Sequence, residues 1–220
     1  MILNANSVMK ISPIVPVVVV DNANEALDLA KVLYEGGISV MEITLRTKAG
    51  LEAIEKIANE FPSMIVGAGT VCDIQDYRNA VNSGSKFVFS PGITMSLIQE
   101  SKNQTIPFIP GVSSASEIML AKENDLTHCK LFPASLVGGV DILKAFGGPF
   151  PGINFCPTGG VNLNNMNDFL ALDNVLCVGG SWVSSSKLVK EKKFKEITKI
   201  VQESLAVVLN KNREIECSNI

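Results

Sequence analysis

Ile14-Val-Pro-Val-Val-Val-Val20 runs straight into Asp21-Asn22-Ala23-Asn24, a helical stretch over 25–34 and a stop at Gly36-Gly37. An uninterrupted apolar run of this length suits a strand buried on both faces. The Asp-Asn pair supplies an N-cap, and paired glycines end a helix where the backbone must leave the right-handed region. The same strand-helix unit then recurs along the chain. A strand at 39–45 precedes a helix at 49–60, whose Leu51, Ile54, Ile57, Ala58 and Phe61 share one face. Further pairs fall at 64–68 with 73–82, 86–89 with 95–101, 106–109 with 116–123, 127–131 with 140–146, and 153–156 with 164–170. The last strand, 175–178, leads into a closing helix.

Eight such units with short connections and no antiparallel hairpin signal predict an α/β protein of the (β/α)8, or TIM, barrel class. An open doubly wound sheet is the alternative. It would call for a nucleotide fingerprint after the first strand, where this chain has Asp21-Asn22-Ala23-Asn24. Residues 1–12 read as a short helix or arm across one end of the fold. The stretch 187–212 reads as the closing outer helix, because Phe194, Ile197, Val201, Leu205 and Val208 recur at helical spacing. All of 1–220 is expected to form one domain, since 220 residues at 46% hydrophobic content suffice for a single core.

The formal charge of −3 gives no general reason to expect nucleic acid or an anionic membrane as partner. Cys72, Cys129, Cys156, Cys177 and Cys217 are odd in number and contain no CxxC pair, so they read as reduced thiols. The apolar run at 14–20 is too short to span a bilayer and lacks the flanks of a secretory signal. These features together predict a cytoplasmic protein.

Polar residues in the strands are few, and they sort to one end. His128-Cys-Lys-Leu-Phe-Pro-Ala-Ser135 places Lys130 inside an apolar strand. An ammonium withdrawn from water tends to give up its proton, and a neutral amine attacks a ketone to form an imine. The alternative is a lysine whose stem packs while its head reaches water. In Val40-Met-Glu-Ile-Thr-Leu-Arg46, the period of two puts Val40, Glu42, Thr44 and Arg46 on one face. The opposite, apolar face must meet the helices, so Glu42 and Arg46 point into the barrel or its mouth, as a catalytic pair or as a structural ion pair. Gly159-Gly160 and Gly179-Gly180-Ser181 follow the seventh and eighth strands, where glycine-loop N–H groups commonly cradle a phosphate. Pro91-Gly92 and Pro110-Gly111 read as turn chemistry. Lys86 lies at the opposite strand end and reads as solvated. His128, the only histidine, has no ligand cluster beside it and reads as packed and hydrogen-bonded.

Taken together, Glu42-Ile-Thr-Leu-Arg-Thr47, Val66-Gly-Ala-Gly-Thr-Val71, Ser90-Pro-Gly92, Ile109-Pro-Gly111, Lys130-Leu-Phe-Pro133, Phe155-Cys-Pro-Thr-Gly-Gly160 and Gly179-Gly-Ser-Trp182 resemble the KDPG/KHG aldolase family. The resemblance runs in order from about Pro13 to Trp182. It implies a class I aldolase, a carbon-carbon lyase needing no cofactor and no metal, built as a homotrimer of barrels. The implied reaction cleaves 2-keto-3-deoxy-6-phosphogluconate to pyruvate and glyceraldehyde 3-phosphate, and 4-hydroxy-2-oxoglutarate to pyruvate and glyoxylate. By this resemblance Lys130 forms the Schiff base and Glu42 moves protons. Arg46 and Thr70 hold the pyruvate carboxylate, Pro91, Phe132 and Thr158 line the pocket, and Gly159, Gly160, Gly180 and Ser181 hold the phosphate. Ser135 departs from the glutamate that many members carry, which bears on the aldehyde partner. Alternatives are a 2-keto-3-deoxy-6-phosphogalactonate aldolase, a sugar-phosphate isomerase or epimerase on the same barrel, and a catalytically silent phosphometabolite-binding protein.

Overall fold

The computed structural model describes residues 3–218, with side chains as far as Val208. Residues 1 and 2 of the expected arm, 219 and 220 of the expected domain, and the side chains of 209–212 in the expected closing helix lie outside the described part. The strands are β1 (Ile14–Val18), β2 (Val40–Thr44), β3 (Ile65–Gly69), β4 (Val88–Phe89), β5 (Phe108–Ile109), β6 (Gly111–Val112), β7 (His128–Leu131), β8 (Asn154–Pro157) and β9 (Val178–Gly180). Between and around them run α1 (Ala5–Met9), α2 (Ala23–Glu35), α3 (Gly50–Glu60), α4 (Ile74–Asn82), α5 (Met95–Lys102), α6 (Ala115–Glu123), α7 (Gly139–Gly147), α8 (Met166–Leu170), α9 (Ser186–Lys190) and α10 (Phe194–Ser218).

The strands form a curled, wholly parallel arrangement in two ladders, β5-β4-β3-β2-β1-β9 and β6-β7-β8. Single bridges join the β8 region to the last strand, Phe155 to Val175 and Thr158 to Gly179. β1 and β2 are buried at all five positions each, which is why β1 reads as a continuous apolar run. Helices cover the outer face. Ile54 and Ile57 of α3 and Leu29 and Leu33 of α2 are fully buried, and burying each such side chain stabilises by about 1.5–3 kcal/mol.

Four of the helices that follow strands, α2, α4, α5 and α6, start on side-chain caps. Asn22 accepts from the backbone N–H of Asn24 and Glu25, Asp73 from Asp76, Thr94 from Leu97 and Ser114 from Glu117. The leading arm is indeed a short helix. α1 closes on an Asn4/Ser7 capping box and buries Val8 and Met9. Its start shares a crevice with Phe108 and His128, at the beginnings of β5 and β7.

Two expectations are corrected. Pro110-Gly111 is not the turn that ends the fifth strand: Gly111 and Val112 continue it as β6 and pair with Lys130 and Leu131. Pro110 still contributes its carbonyl, which accepts from the Lys130 N–H at 2.8 Å. Gly111 is needed there because a side chain would collide with the Pro91 backbone. The closing helix is also not continuous. It breaks after α9, where Lys192 adopts φ +53°, and restarts as α10. α10 uses the expected face, with Ile197, Val201 and Val208 buried.

Candidate active site

β2 and β7 each bring one charged residue to the interior. The register fixes both: Glu42 lies opposite Val17 of β1 and Gly67 of β3, and Lys130 lies between Gly111 of β6 and Cys156 of β8. Their side chains meet. Lys130 Nζ lies 2.8 Å from Glu42 Oε1 and 3.0 Å from Oε2, and the residues are 4% and 1% exposed. Removing two charges from water costs several kcal/mol per ion, and well-packed apolar residues would serve stability as well or better. A fully buried lysine-carboxylate pair is therefore better explained by chemistry than by folding. Its 2.8 Å contact is short enough for a proton to pass from the amine to the carboxylate.

Aromatic rings complete the amine's surroundings. Nζ sits 5.0 Å from the centroid of Phe89 and 5.6 Å from that of Phe132, within the range where a ring face attracts a cation. Phe132 is among the expected pocket residues; Phe89 is not. Its only signal in the sequence is its place at the end of the fourth strand, directly before Ser90-Pro91.

A second unanticipated residue is Gly69. Its register partner is Thr44, two residues beyond Glu42 on the same face of β2. A Cβ on Gly69 would occupy the space of the Glu42 carboxylate itself. The Val66-Gly-Ala-Gly-Thr-Val71 motif thus contains the gap into which the acid fits.

Arg46 and Thr70 are also brought together. Arg46 Nε donates to Thr70 Oγ1 at 3.3 Å, with Arg46 exposed at the mouth. Thr70 adopts φ +60°, a left-handed conformation that costs a non-glycine residue of order 1–3 kcal/mol and is retained where surrounding structure demands it. Thr158 is buried at the end of β8, bridged to Gly179, and Pro91 is exposed above the backbone of Gly111.

Gly159 and Gly160 form a turn at the outer part of the site, whereas Gly179 and Gly180, expected in a loop after the eighth strand, are buried strand residues at the end of β9, because the strand runs two residues further than its apolar stretch. Gly159 and Gly160 hold φ +99° and +80°, so this turn suits glycine only. It is tied directly to the lysine motif: Ala134 N–H donates to Thr158 O at 2.8 Å and Ser135 N–H to Gly159 O at 3.0 Å. Ser135 lies so close to Gly160 that a side chain there would strike its hydroxyl. Gly180 lies under the Trp182 ring, and Ser181 is exposed at the start of the turn over Trp182–Ser184. The Gly159–Gly160 turn and the Gly180–Ser181 segment are linked through the Thr158–Gly179 bridge.

Lys86 is exposed before β4, as expected. His128 places Nδ1 3.0 Å from Thr127 Oγ1, while its Nε2 is buried without a hydrogen-bond partner. Burial, and then the charge of Lys10, hold its imidazole below the usual histidine range. Burial pushes the Cys129 thiol up to about 12, which leaves it inert as a nucleophile. Among the described residues, no three His, Cys, Asp or Glu side chains gather as a metal-binding group, and no helix is long and apolar enough to cross a membrane.

Comparison with known proteins identifies the family. A 2-dehydro-3-deoxy-phosphogluconate aldolase of Dickeya dadantii is 44% identical over 203 residues, covering 92% of this chain and 95% of that one. The crystal structure of a KDPG aldolase from Legionella pneumophila, with pyruvate captured at low pH as a covalent carbinolamine intermediate, superposes with a TM-score of 0.90 at 41% identity. It covers 91% of this chain and 98% of its own. A 2-keto-3-deoxy-6-phosphogluconate aldolase of Zymomonas mobilis, crystallised with 3-phosphoglycerate, gives 0.84 at 37% identity, covering 92% and 95%. With residues 5–200 matching the family described as KDPG and KHG aldolase, the chain belongs to that family.

Proposed function

We propose that this protein is a class I aldolase that cleaves 2-keto-3-deoxy-6-phosphogluconate to pyruvate and glyceraldehyde 3-phosphate. The observation that carries this reading is the buried Lys130–Glu42 contact at 2.8 Å. A carbinolamine needs an amine nucleophile with an acid-base group beside it, and the Legionella relative was captured with pyruvate in that form.

In the proposed reaction Lys130 passes a proton to Glu42, the free amine attacks C2 of the 2-keto acid, and the carbonyl oxygen takes up the proton that the nitrogen sheds, giving the carbinolamine. Glu42 returns the proton to the departing hydroxyl, which leaves as water and gives the protonated imine. The same carboxylate, through a water, then accepts the C4 hydroxyl proton. The C3–C4 bond breaks, its electron pair flows into the imine to form an enamine, and the aldehyde leaves. Protonation at C3 and hydrolysis release pyruvate and restore Lys130. Arg46, fixed in charge, and Thr70 hold the carboxylate, while Pro91, Phe132 and Thr158 line the pocket.

The phosphate belongs at Gly159, Gly160, Gly180 and Ser181, where backbone N–H groups and a hydroxyl supply donors. Ser135 sits against Gly160, so this chain's departure from the glutamate of many members falls at the phosphate end and leaves the imine chemistry untouched. 4-Hydroxy-2-oxoglutarate and the phosphogalactonate analogue share the pyruvate half, and kcat/KM across the three ranks them. An isomerase or epimerase would have no use for an imine-forming lysine paired with a carboxylate.

Two further features belong to this reading. The bridges between the β8 region and the last strand, with the Pro110–Lys130 hydrogen bond, support closure of the two ladders into one (β/α)8 barrel and a single domain over 1–220. The family likeness supports a homotrimer that needs no metal or other cofactor, while the odd, unpaired cysteines and the formal charge of −3 support a cytoplasmic protein that binds neither nucleic acid nor membrane.

Borohydride reduction in the presence of pyruvate tests the chemistry. The wild-type protein should gain one reduced pyruvate adduct, mapped to Lys130, and Lys130→Ala should gain none. Wild-type-level trapping in Lys130→Ala would assign the nucleophile to another lysine.

A further inference from the structure

The carbonyl of Gly160, in the turn assigned above to the phosphate, is taken by two side-chain amides. Asn165 Nδ2 donates to it at 3.0 Å and Asn162 Nδ2 at 3.4 Å. The Asn165 amide is used at both ends, since its Oδ1 accepts the Asn162 backbone N–H at 2.8 Å. This double use fixes its orientation, because a flipped amide would set donor against donor and acceptor against acceptor. Asn162 is held in turn by accepting the Asn164 N–H at 2.9 Å. Gly160 is exposed, Asn165 half-buried beside α8, and Val161 between them buried.

A planar trans peptide carries its C=O and N–H on opposite edges. Drawing the Gly160 carbonyl towards Asn162 and Asn165 therefore turns the Val161 N–H to the other side, away from both amides. Two consecutive glycines at positive φ have no side chain to hold them in this conformation. The brace comes from six residues downstream at most, and it acts on the Gly160–Val161 peptide, whose rotation would redirect the Val161 N–H; the Gly159 and Gly160 N–H groups belong to the two preceding peptides, whose carbonyls accept from Ala134 and Ser135.

We propose that Asn165, assisted by Asn162, is a positioning residue that presets the Gly159–Val161 turn for the substrate phosphate. It touches no reacting atom, and the proposal rests on the aldolase reading above. Its signature is a loss confined to phosphorylated substrate.

The experiment compares wild type with Asn165→Asp, Asn165→Ala and Asn162→Ala. Substrates are 2-keto-3-deoxy-6-phosphogluconate and unphosphorylated 4-hydroxy-2-oxoglutarate, with inorganic phosphate as competing inhibitor. Asn165→Asp keeps the acceptor for Asn162 but cannot donate to Gly160, and it should raise KM for the phosphorylated substrate about tenfold, the effect of one lost hydrogen bond. Its kcat, its KM for 4-hydroxy-2-oxoglutarate and its pyruvate trapping should stay near wild type, and inhibition by phosphate should weaken in parallel. Asn165→Ala should match it, and Asn162→Ala should show a smaller rise because its bond is longer. An equal loss on both substrates would make Asn165 merely structural and overturn the proposal, as would an unchanged KM for the phosphorylated substrate. If wild type neither traps pyruvate nor cleaves either compound, the aldolase reading itself fails, and the positioning role falls with it.

Discussion

The amine pocket and the glycine turn lie side by side, yet they are built in opposite ways. Lys130 and Glu42 are 88 residues apart in sequence, come from strands on different ladders, and meet as side chains in a dry interior. Gly159 and Gly160 form a turn at the rim, held by neighbours no further along the chain than Asn165 and by the Ala134–Thr158 and Ser135–Gly159 hydrogen bonds. The difference follows the tasks. Making and breaking bonds needs a nucleophile and an acid-base group held against each other away from bulk water. Holding a dianion that must enter and leave from water needs oriented N–H groups, which a turn supplies locally.

If that division is sound, substitutions in the two regions should fail differently. Glu42→Gln should cost the most, lowering kcat about 10²- to 10⁴-fold, the range of a lost general acid-base group. KM for phosphorylated substrate should move little, and a kcat within a few-fold of wild type would remove Glu42 from proton transfer. Lys130→Met should destabilise the fold by about 3–5 kcal/mol, because it strands the Glu42 carboxylate in the interior. Lys130→Met with Glu42→Leu should recover most of that loss in denaturant unfolding. Equal midpoints for single and double variants would show that the pair is not desolvated as described.

Gly160→Ala should act more gently on the fold, at about 1–3 kcal/mol for a side chain forced to positive φ and against Ser135. Its kinetic effect should fall on KM for phosphorylated substrate, with pyruvate trapping retained; loss of trapping would mean the two regions are not separable. The smallest effect concerns Glu117, away from both. Burial alone would raise its carboxyl, but hydrogen bonds from the Ser113 and Ser114 backbone N–H and hydroxyl groups outweigh it and hold it below the usual carboxylate range. A carboxyl depressed in the folded state stabilises above its unfolded pKa, and that contribution is lost as pH falls through the folded value. Thermal stability should therefore decline on acidification through the carboxylate range, slightly less steeply in Glu117→Gln, while pyruvate trapping at neutral pH stays the same. An identical acid limb in the variant would remove Glu117 from that dependence.

Much of the architecture was legible in one dimension. Parallel strands buried on both faces leave continuous apolar runs, and helices between them carry a 3.6-residue period, so the units could be counted without any contact information. Lys130 stood out because nothing else in its strand is charged, and Glu42 because alternation in β2 places it opposite the helix-facing residues. Phe89 and Gly69 were not legible as site residues. An apolar strand end and a glycine in a motif acquire their roles only from the Lys130 amine and the Glu42 carboxylate that arrive beside them. Pro110-Gly111 misled for a related reason. Locally it has the composition of a turn, but Gly111 pairs with Lys130 of β7, and its missing side chain leaves room for the Pro91 backbone.

The order of apolar and polar residues by itself determined the strand-helix repeat, the inward faces and the one lysine set inside an apolar strand, because periodicity and composition are properties of the chain. Only the tertiary structure decided which acid partners that amine, at what distance, and which carbonyl Asn165 restrains. Those facts depend on strand register and on side chains meeting across the fold, and neither is encoded at any single position.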